Sequence, residues 1–184
     1  NTAQVLSGQP YPGTGGFSEY MMAVPYSVFP YTHVTPQEAC ICEPVSCVIH
    51  SVETVNPQFG DACVIIGAGI MGLLHTQLCV KKGCFVIVVD MNEERLEMAA
   101  SMGAHYTINP HKEHAEKRIM KITHGRKARA VFDTTPAASV VEEACRYVGN
   151  MGKLMIYSGI YPNKPVQMDA HWIHKVSIQI LGTA

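Results

Sequence analysis

The sequence predicts an α/β fold in which a parallel sheet is covered by helices on both faces. Short apolar runs alternate with amphipathic helical stretches from about residue 57 onward. Strands that are apolar along their whole length are typical of parallel sheets buried on both faces. Apolar residues make up 47% of the 184 residues, so the chain can fill one domain core and part of a second.

The first 42 residues differ in texture from the rest of the chain. They are rich in Gly, Pro, Tyr and Ser, and they contain short strand-like pieces such as 17–24 but no long helical period. We therefore predict that residues 1–42 are part of a β-rich unit. The second unit, residues 43–184, is predicted to begin with a helix over 43–54, which has a proline near its first turn.

Six apolar runs predict the strands of the second unit, at residues 62–66, 85–89, 106–108, 130–133, 154–157 and 177–181. Helical stretches lie between the first five runs, near residues 70–82, 93–102, 112–123 and 137–148. A short helical piece near 170–174 precedes the sixth run. This alternation predicts a doubly wound, six-stranded parallel sheet.

Charge and cysteine content argue against several classes of function. The formal net charge is −1 with both signs mixed along the chain, so we expect no nucleic-acid partner. No apolar run reaches the roughly 20 residues of a membrane-spanning helix, so we expect no membrane partner either. The seven cysteines form no C-x-x-C pair and lie mostly in apolar stretches. Reduced thiols in a cytoplasmic protein are the simplest interpretation.

A glycine motif carries most of the functional information. Residues 67–72 read Gly-Ala-Gly-Ile-Met-Gly, a G-x-G-x-x-G motif between the first predicted strand and a helix. In dinucleotide-binding turns the first glycine allows a tight turn, the second admits the pyrophosphate, and the third lets helix and strand pack closely. We expect these roles for Gly67, Gly69 and Gly72, with Ile70 and Met71 at the helix N-terminus that receives the phosphates.

An acid at the end of the second predicted strand strengthens this interpretation. Asp90 lies 18 residues after Gly72, close to the spacing of about 20 expected for the carboxylate that binds the adenosine ribose. Because a carboxylate there would repel the 2′-phosphate of NADP, NAD is favoured. Arg95 could contact the adenosine end or belong to a solvated helix face. Thr134 follows the fourth predicted strand and would reach the same sheet edge, so we predict a cofactor contact for it.

These residues, with several short segments, resemble the zinc-dependent medium-chain alcohol and polyol dehydrogenases, near the sorbitol and threonine dehydrogenases. The further matching segments are Gly15-Gly16-Phe17-Ser18-Glu19-Tyr20, Glu43-Pro44-Val45-Ser46, Ile49-His50, Arg95-Leu96-Glu97, Met102-Gly103-Ala104 and Gly152-Lys153-Leu154. The resemblance spans nearly the whole chain. Such enzymes combine a GroES-like catalytic domain with a Rossmann domain, and they transfer a hydride to NAD from an alcohol held on zinc.

The resemblance implies a role for each part of the chain. Residues 1–42 would be a remnant of the GroES-like domain and residues 43–184 the NAD-binding Rossmann domain. The implied NAD contacts are Met71, Asp90, Arg95, Tyr157, Ser158 and Gly159. Glu43 matches an acidic catalytic position beside the zinc, where it either ligates the metal or holds a metal-bound water or the substrate. A homodimer or homotetramer joined through the last strand is also implied.

The chain departs from the family pattern as well. The family's catalytic Cys and Gly-His-Glu motif would precede residue 1, and its four-cysteine structural zinc loop is absent. We therefore predict the cofactor half of a dehydrogenase that oxidises a polyol, threonine or a simple alcohol, inactive by itself. A stand-alone nucleotide-binding or sensing module is an alternative. The zinc-independent quinone or enoyl reductases are another, although Asp90 and Glu43-Pro44 argue against them because that branch mostly uses NADPH.

Overall fold

Residues 19–20 and 25–183 are described by the computed structural model, in which the chain divides into two units, Asn1–Cys40 and Ile41–Ala184. The described part of the first unit holds a 3-10 turn at Pro25–Ser27 and a short helix, α1, at Pro36–Ala39. A capping box starts α1, since the Thr35 hydroxyl and the Glu38 carboxylate each accept the other residue's N–H. The strand-like piece predicted at 17–24 falls largely outside the described residues, and the GroES-like origin of this unit stays a prediction.

The second unit alternates helices and strands along the chain. Its helices are α2 (Cys42–Val55), α3 (Ile70–Lys81), α4 (Glu93–Ser101), α5 (Ala115–Ile122), α6 (Ala138–Tyr147) and α7 (Ala170–Val176). Its strands are β1 (Ala62–Ile66), β2 (Phe85–Val89), β3 (Tyr106–Ile108), β4 (Ala128–Asp133), β5 (Val148–Ile156) and β6 (Gln179–Gly182). All neighbouring strands are parallel, in the order β3-β2-β1-β4-β5-β6. The predicted doubly wound Rossmann sheet is confirmed.

Each face of the sheet has its own hydrophobic layer. Successive strand side chains point to opposite faces, so Val64 and Ile66 of β1 pack with residues of α5, α6 and α7. The alternate β1 residues, Cys63 and Ile65, pack with residues of α2, α3 and α4. Both faces are therefore apolar, which explains why the strands read as continuous apolar runs. Among the helices of the described residues, none is long and apolar enough to cross a bilayer.

Two element boundaries differ substantially from the sequence prediction. The helix expected over 112–123 begins at Ala115, because the N–H groups of Lys112 and Glu113 donate to the Asn109 carbonyl at 3.0 and 3.1 Å and form a turn instead. The fifth strand, expected over 154–157, begins at Val148 directly after α6. It pairs first with the start of β4, and the register then shifts before the main ladder begins. Residues 148–153 contain no continuous apolar run, so the strand pattern in the sequence begins only at Leu154.

The outer strand β6 leads to a prediction about assembly. Its Ile180 side chain is 36% exposed, and one edge of the strand has no pairing strand within the described residues. Because an apolar, unpaired edge promotes strand pairing, we expect two copies to join through β6 about a two-fold axis. Sedimentation should give a dimer at micromolar concentration, and Ile180→Lys should shift it towards monomer. Met151→Lys, at an exposed apolar residue outside the β5–β6 ladder, is the control. A wild-type protein that sediments only as monomer would contradict the expectation.

Candidate functional site

The sheet order places the candidate site at the carboxyl ends of the central strands. β1 and β4 are neighbours, yet α3 follows β1 on one face and α6 follows β4 on the other. The loops that leave these two strands separate and open a crevice, the usual ligand site of an open α/β sheet. Four predicted site residues follow four adjacent strands at this edge: Asp90 after β2, Gly67 after β1, Thr134 after β4 and Tyr157 after β5.

The three glycines of residues 67–72 meet different requirements. Gly67 has φ of +91°, in the left-handed region that favours glycine. A Cβ on Gly72 would lie 1.7 Å from the Gly67 carbonyl oxygen, so α3 packs against the loop only without a side chain there. Gly69 is different, because its φ of −73° and ψ of −174° suit any residue. A Cβ on Gly69 would meet no atom of the described residues within 4 Å. The fold therefore does not require glycine at position 69.

The start of α3 can bind an anion. Its N-cap, Gly69, provides no side-chain hydrogen bond, and its fully described first turn contains no acidic residue. The first N–H groups of a helix lack partners within the helix and carry its positive dipole end. Ile70, in this turn, is 70% exposed. These N–H groups suit a phosphate at the mouth of the crevice.

Asp90 links the end of β2 to the glycine loop. Its Oδ2 accepts a hydrogen bond from the Ala68 N–H at 2.6 Å, and its Oδ1 accepts from the Asn92 N–H at 2.8 Å. A carboxylate has about four acceptor positions, so both oxygens keep capacity for ribose hydroxyls. Arg95 lies in the first turn of α4 with an exposed side chain. Its contact with the adenosine end stays a prediction.

Thr134 supports the loop from the protein side. Its hydroxyl donates to the Ile66 carbonyl at 2.8 Å, and its N–H donates to the same oxygen at 3.0 Å. A Cβ on Gly67 would lie 2.7 Å from the Thr134 hydroxyl oxygen, so the two residues are packed together. Thr134 therefore stabilises the base of the glycine loop. A direct cofactor contact by Thr134 stays a prediction.

The segment after β5 brings a tyrosine to the other side of the crevice. The Tyr157 hydroxyl donates to the Met71 sulfur at 3.4 Å, which joins this segment to the first turn of α3. The N–H groups of Tyr157 and Ser158 both donate to the Asp133 carbonyl, at 2.9 and 3.4 Å. Gly159 is exposed. The structure therefore brings Met71 and residues 157–159 to one end of the crevice, while Asp90 lies at the other.

Glu43 lies in the first turn of α2 with an exposed side chain, and its Oε1 accepts from the Cys47 thiol at 3.3 Å. This hydrogen bond raises the pKa of Cys47. Burial, followed by the charges of Cys47 and Glu43, raises the pKa of Tyr157. Within residues 19–20 and 25–183, no three His, Cys, Asp or Glu side chains converge as metal ligands. These residues alone do not provide the four-coordinate shell of a zinc ion.

Two buried ionisable residues beside the site were missed from the sequence. Asp133 ends β4, and its Oδ1 accepts from the Thr135 N–H and hydroxyl at 2.9 and 2.7 Å. Its Oδ2 is buried and has no hydrogen-bond partner among the described residues, and burial raises the pKa of Asp133 to about 6. His75 lies within α3, and burial lowers its pKa to about 4. The available signal for Asp133 was an acid ending an apolar run, as at Asp90; His75 only interrupted an apolar helix.

Comparison with known proteins decides the family. Residues 71–184 match the family described as zinc-binding dehydrogenase. This chain belongs to that family. A zinc-type alcohol dehydrogenase-like protein of Haemophilus influenzae is 35% identical over 78% of this chain and 41% of its own length. The L-threonine 3-dehydrogenase of Pyrococcus abyssi is 31% identical over 82% of this chain and 43% of its own. The chain thus spans less than half the length of these relatives, and the predicted family is confirmed.

Solved structures agree with the fold of this zinc-binding dehydrogenase chain. Galactitol-1-phosphate dehydrogenase from Escherichia coli superposes with a TM-score of 0.82 and 24% identity, over 92% of this chain and 50% of its own. A zinc-binding dehydrogenase from Sinorhizobium meliloti, bound to NADP, gives a TM-score of 0.77 and 23% identity, over 82% and 45%. At these identities the likeness establishes the fold alone.

Proposed function

We propose that this chain binds NAD(H) and forms the cofactor-binding part of a zinc-dependent alcohol or polyol dehydrogenase. Gly69 is the observation that carries the proposal. Its backbone conformation suits any residue and a Cβ there would touch nothing described, so the fold gives no reason for glycine. A ligand whose pyrophosphate approaches the backbone supplies that reason. Family membership, and a relative that is an L-threonine 3-dehydrogenase, support the dehydrogenase activity.

The crevice suits an extended dinucleotide. Asp90 would hold the adenosine ribose with the acceptor capacity that its oxygens keep, and the N-terminus of α3 would hold the pyrophosphate. Met71 and residues 157–159 would then border the nicotinamide end. When bound, NAD supplies the hydride acceptor, while the residues of this chain bind and orient it. The substrate classes that we propose are polyols, threonine and simple alcohols.

The choice between NADH and NADPH tests the proposal. We expect the wild-type protein to bind NADH more tightly than NADPH by about tenfold or more, because a carboxylate facing a 2′-phosphate is costly. Fluorescence titration with both cofactors measures this ratio. Asp90→Asn removes the charge but keeps an oxygen acceptor, whereas Asp90→Gly removes both and also releases the Ala68 N–H. Both variants should bring the ratio of NADH to NADPH affinity closer to one.

A charge control separates this local effect from a general one. Glu97 is exposed on α4, seven residues after Asp90, so Glu97→Gln should leave the cofactor ratio unchanged. Equal affinities of the wild-type protein for NADH and NADPH would contradict the proposed NAD preference. Failure to bind either cofactor would contradict the proposed function itself.

We further propose that Glu43 acts at the zinc or its ligands in the intact enzyme. Glu43→Gln keeps size and hydrogen bonding but removes the charge. We expect it to reduce zinc content or turnover while NADH affinity and melting temperature stay almost unchanged. If Glu43 only stabilises the helix start, the variant instead loses a few tenths to about 1 kcal/mol of stability with normal kinetics. Glu53→Gln, at an exposed carboxylate later in α2, is the matched control.

A cytoplasmic location belongs to the same proposal. All seven cysteines lie in the described residues, and no disulfide joins them there. Cysteines that form no disulfide are typical of reducing compartments, which supports the location predicted from the sequence. The native protein is unfolded without a reductant and then alkylated. Mass spectrometry should find all seven cysteines alkylated. A disulfide found in that experiment would count against a cytoplasmic location.

A further inference from the structure

We propose that His75 is a positioning residue for the nicotinamide end of the cofactor cleft, acting through Met71 and Tyr157. The inference rests on the proposed function, because it concerns the same cleft. His75 is fully buried in α3, so it does not touch a cofactor itself. Its contacts nevertheless join two segments that border the cleft, the start of α3 and the segment after β5, to α2.

Both ring nitrogens of His75 have partners. Nδ1 lies 2.7 Å from the Met71 carbonyl oxygen, and Nε2 lies 3.0 Å from the Ser51 hydroxyl oxygen of α2. A carbonyl only accepts hydrogen bonds, so Nδ1 carries the proton and Nε2 accepts from Ser51. Burial lowers the pKa of His75, which is consistent with this neutral form. The two bonds fix the ring plane, because rotating the ring would break both.

The fixed ring in turn holds Tyr157. The centroids of the two rings are 4.7 Å apart at 83°, an edge-to-face arrangement that aromatic rings favour. The Tyr157 hydroxyl donates to the Met71 sulfur, and His75 donates to the Met71 carbonyl. The three residues therefore form a closed triangle. Phe132 of β4 packs on the His75 ring at a centroid distance of 5.0 Å and confines it further.

The position of this triangle in the sheet decides which part of a dinucleotide it would affect. Asp90 follows β2 and Tyr157 follows β5, on opposite sides of the glycine loop that follows β1. An adenosine ribose on Asp90 and a pyrophosphate on the loop direct the nicotinamide towards Tyr157. The triangle should therefore govern contacts at the nicotinamide end and leave the adenosine end unaffected.

The alternative is a histidine that only fills the core. A buried polar ring costs desolvation unless all its hydrogen bonds are made. A leucine of similar volume would satisfy the apolar layer formed by α2, α3 and the sheet without that cost. If filling the core were the whole role, replacement would alter stability but would not alter the affinities of the two cofactor ends unequally.

Binding of NADH and AMP to the intact protein tests the inference, because AMP reaches only the adenosine end. We expect His75→Leu to weaken NADH binding about tenfold while AMP affinity stays within about twofold of wild type. His75→Asn keeps an N–H near the Nδ1 position but lacks the ring, so its NADH affinity should be intermediate. Cys79→Ala, a buried replacement one turn further along α3, should change the melting temperature without changing the affinity ratio.

Each outcome decides the matter. If a folded His75 variant has the same ratio of NADH affinity to AMP affinity as wild type, the positioning role is overturned. If His75→Leu does not fold, the ratio measured on His75→Asn decides in the same way. A wild-type protein that binds neither ligand removes the proposed function and this inference together, whereas normal wild-type binding with an unmoved ratio removes only the inference.

Discussion

Replacing Gly72 with alanine is expected to destabilise the protein by about 3 kcal/mol, near the upper end of the usual cost of overpacking. The added Cβ would lie 1.7 Å from the Gly67 carbonyl oxygen, and backbone on both sides must move to admit it. The same replacement at Gly69 should change stability by no more than about 0.5 kcal/mol, because the backbone there suits alanine and the new methyl group touches nothing described. Both variants should nevertheless lose NADH affinity, for different reasons.

Denaturant unfolding and NADH titration of the two alanine variants distinguish these reasons. Gly72→Ala should lower the unfolding midpoint and weaken NADH binding together, since the loop itself is displaced. Gly69→Ala should keep the wild-type unfolding midpoint and weaken NADH binding by about tenfold or more, because the added methyl group blocks the approach of the pyrophosphate to the backbone. Gly182→Ala, at the end of β6, is a control with open space around its Cβ that lies outside the loop and outside the proposed cofactor contacts. Wild-type NADH affinity in Gly69→Ala would remove the main support for the proposed function.

The second large effect concerns two buried groups whose pKa values move in opposite directions. His75 titrates near 4 in the fold, below its ordinary 6.5, so the unfolded chain binds more protons and stability falls as pH drops from about 6.5 to 4. Asp133 titrates near 6, above its ordinary 3.8, so the fold binds more protons and this contribution to stability is lost as pH rises from about 4 through 6. Each shift corresponds to about 3 kcal/mol at its limit, and the two offset each other in this window.

Single variants should expose the hidden pH dependence. The loss of unfolding free energy caused by Asp133→Asn should be larger at about pH 5 than at about pH 7.5 by on the order of 1 kcal/mol. The reason is that wild-type Asp133 gains stability from its protonation at the lower pH and the variant does not. The loss of unfolding free energy caused by His75→Gln should instead be smaller at the lower pH than at the higher, by about 2 kcal/mol. The reason is that the variant lacks the imidazole that becomes charged on unfolding. Urea unfolding at both pH values measures these differences. If both variants show the same change in unfolding free energy between the two pH values as wild type, the two groups do not titrate as their burial requires.

Local patterns predicted the strands of the fold and the glycine loop beside the crevice. Apolar alternation located all six strands, and the glycine spacing with Asp90 located the crevice, because both depend on residues close together in sequence. The start of β5 was missed because residues 148–153 form no apolar run and their pairing with β4 is interrupted by a register shift. Thr134 was placed at the correct edge, but its hydroxyl is satisfied by the Ile66 carbonyl, a contact that only the folded sheet creates.

The buried polar groups were beyond sequence prediction for a related reason. His75 interrupts an apolar helix, and nothing nearby in the sequence identifies Ser51 or Tyr157 as its partners. Those residues lie 24 positions before it and 82 after it. The spacing of a motif reports which backbone turns are possible. It does not report which side chains from other elements complete the hydrogen bonds of a buried ring.

The hydrogen bond between Thr134 and Ile66 also bears on how this protein folds. It joins residues 68 positions apart and lies at the seam where β1 meets β4. Strand pairs within β1 to β3 and within β4 to β6 join residues 19 to 26 positions apart, whereas the β1–β4 seam joins residues 67 positions apart and requires closure of a longer loop. The crevice therefore exists only after the two halves have docked. A dinucleotide bound across it would slow their separation, so NADH should protect backbone amides of β1 and β4 from hydrogen exchange more than those of the outer strands.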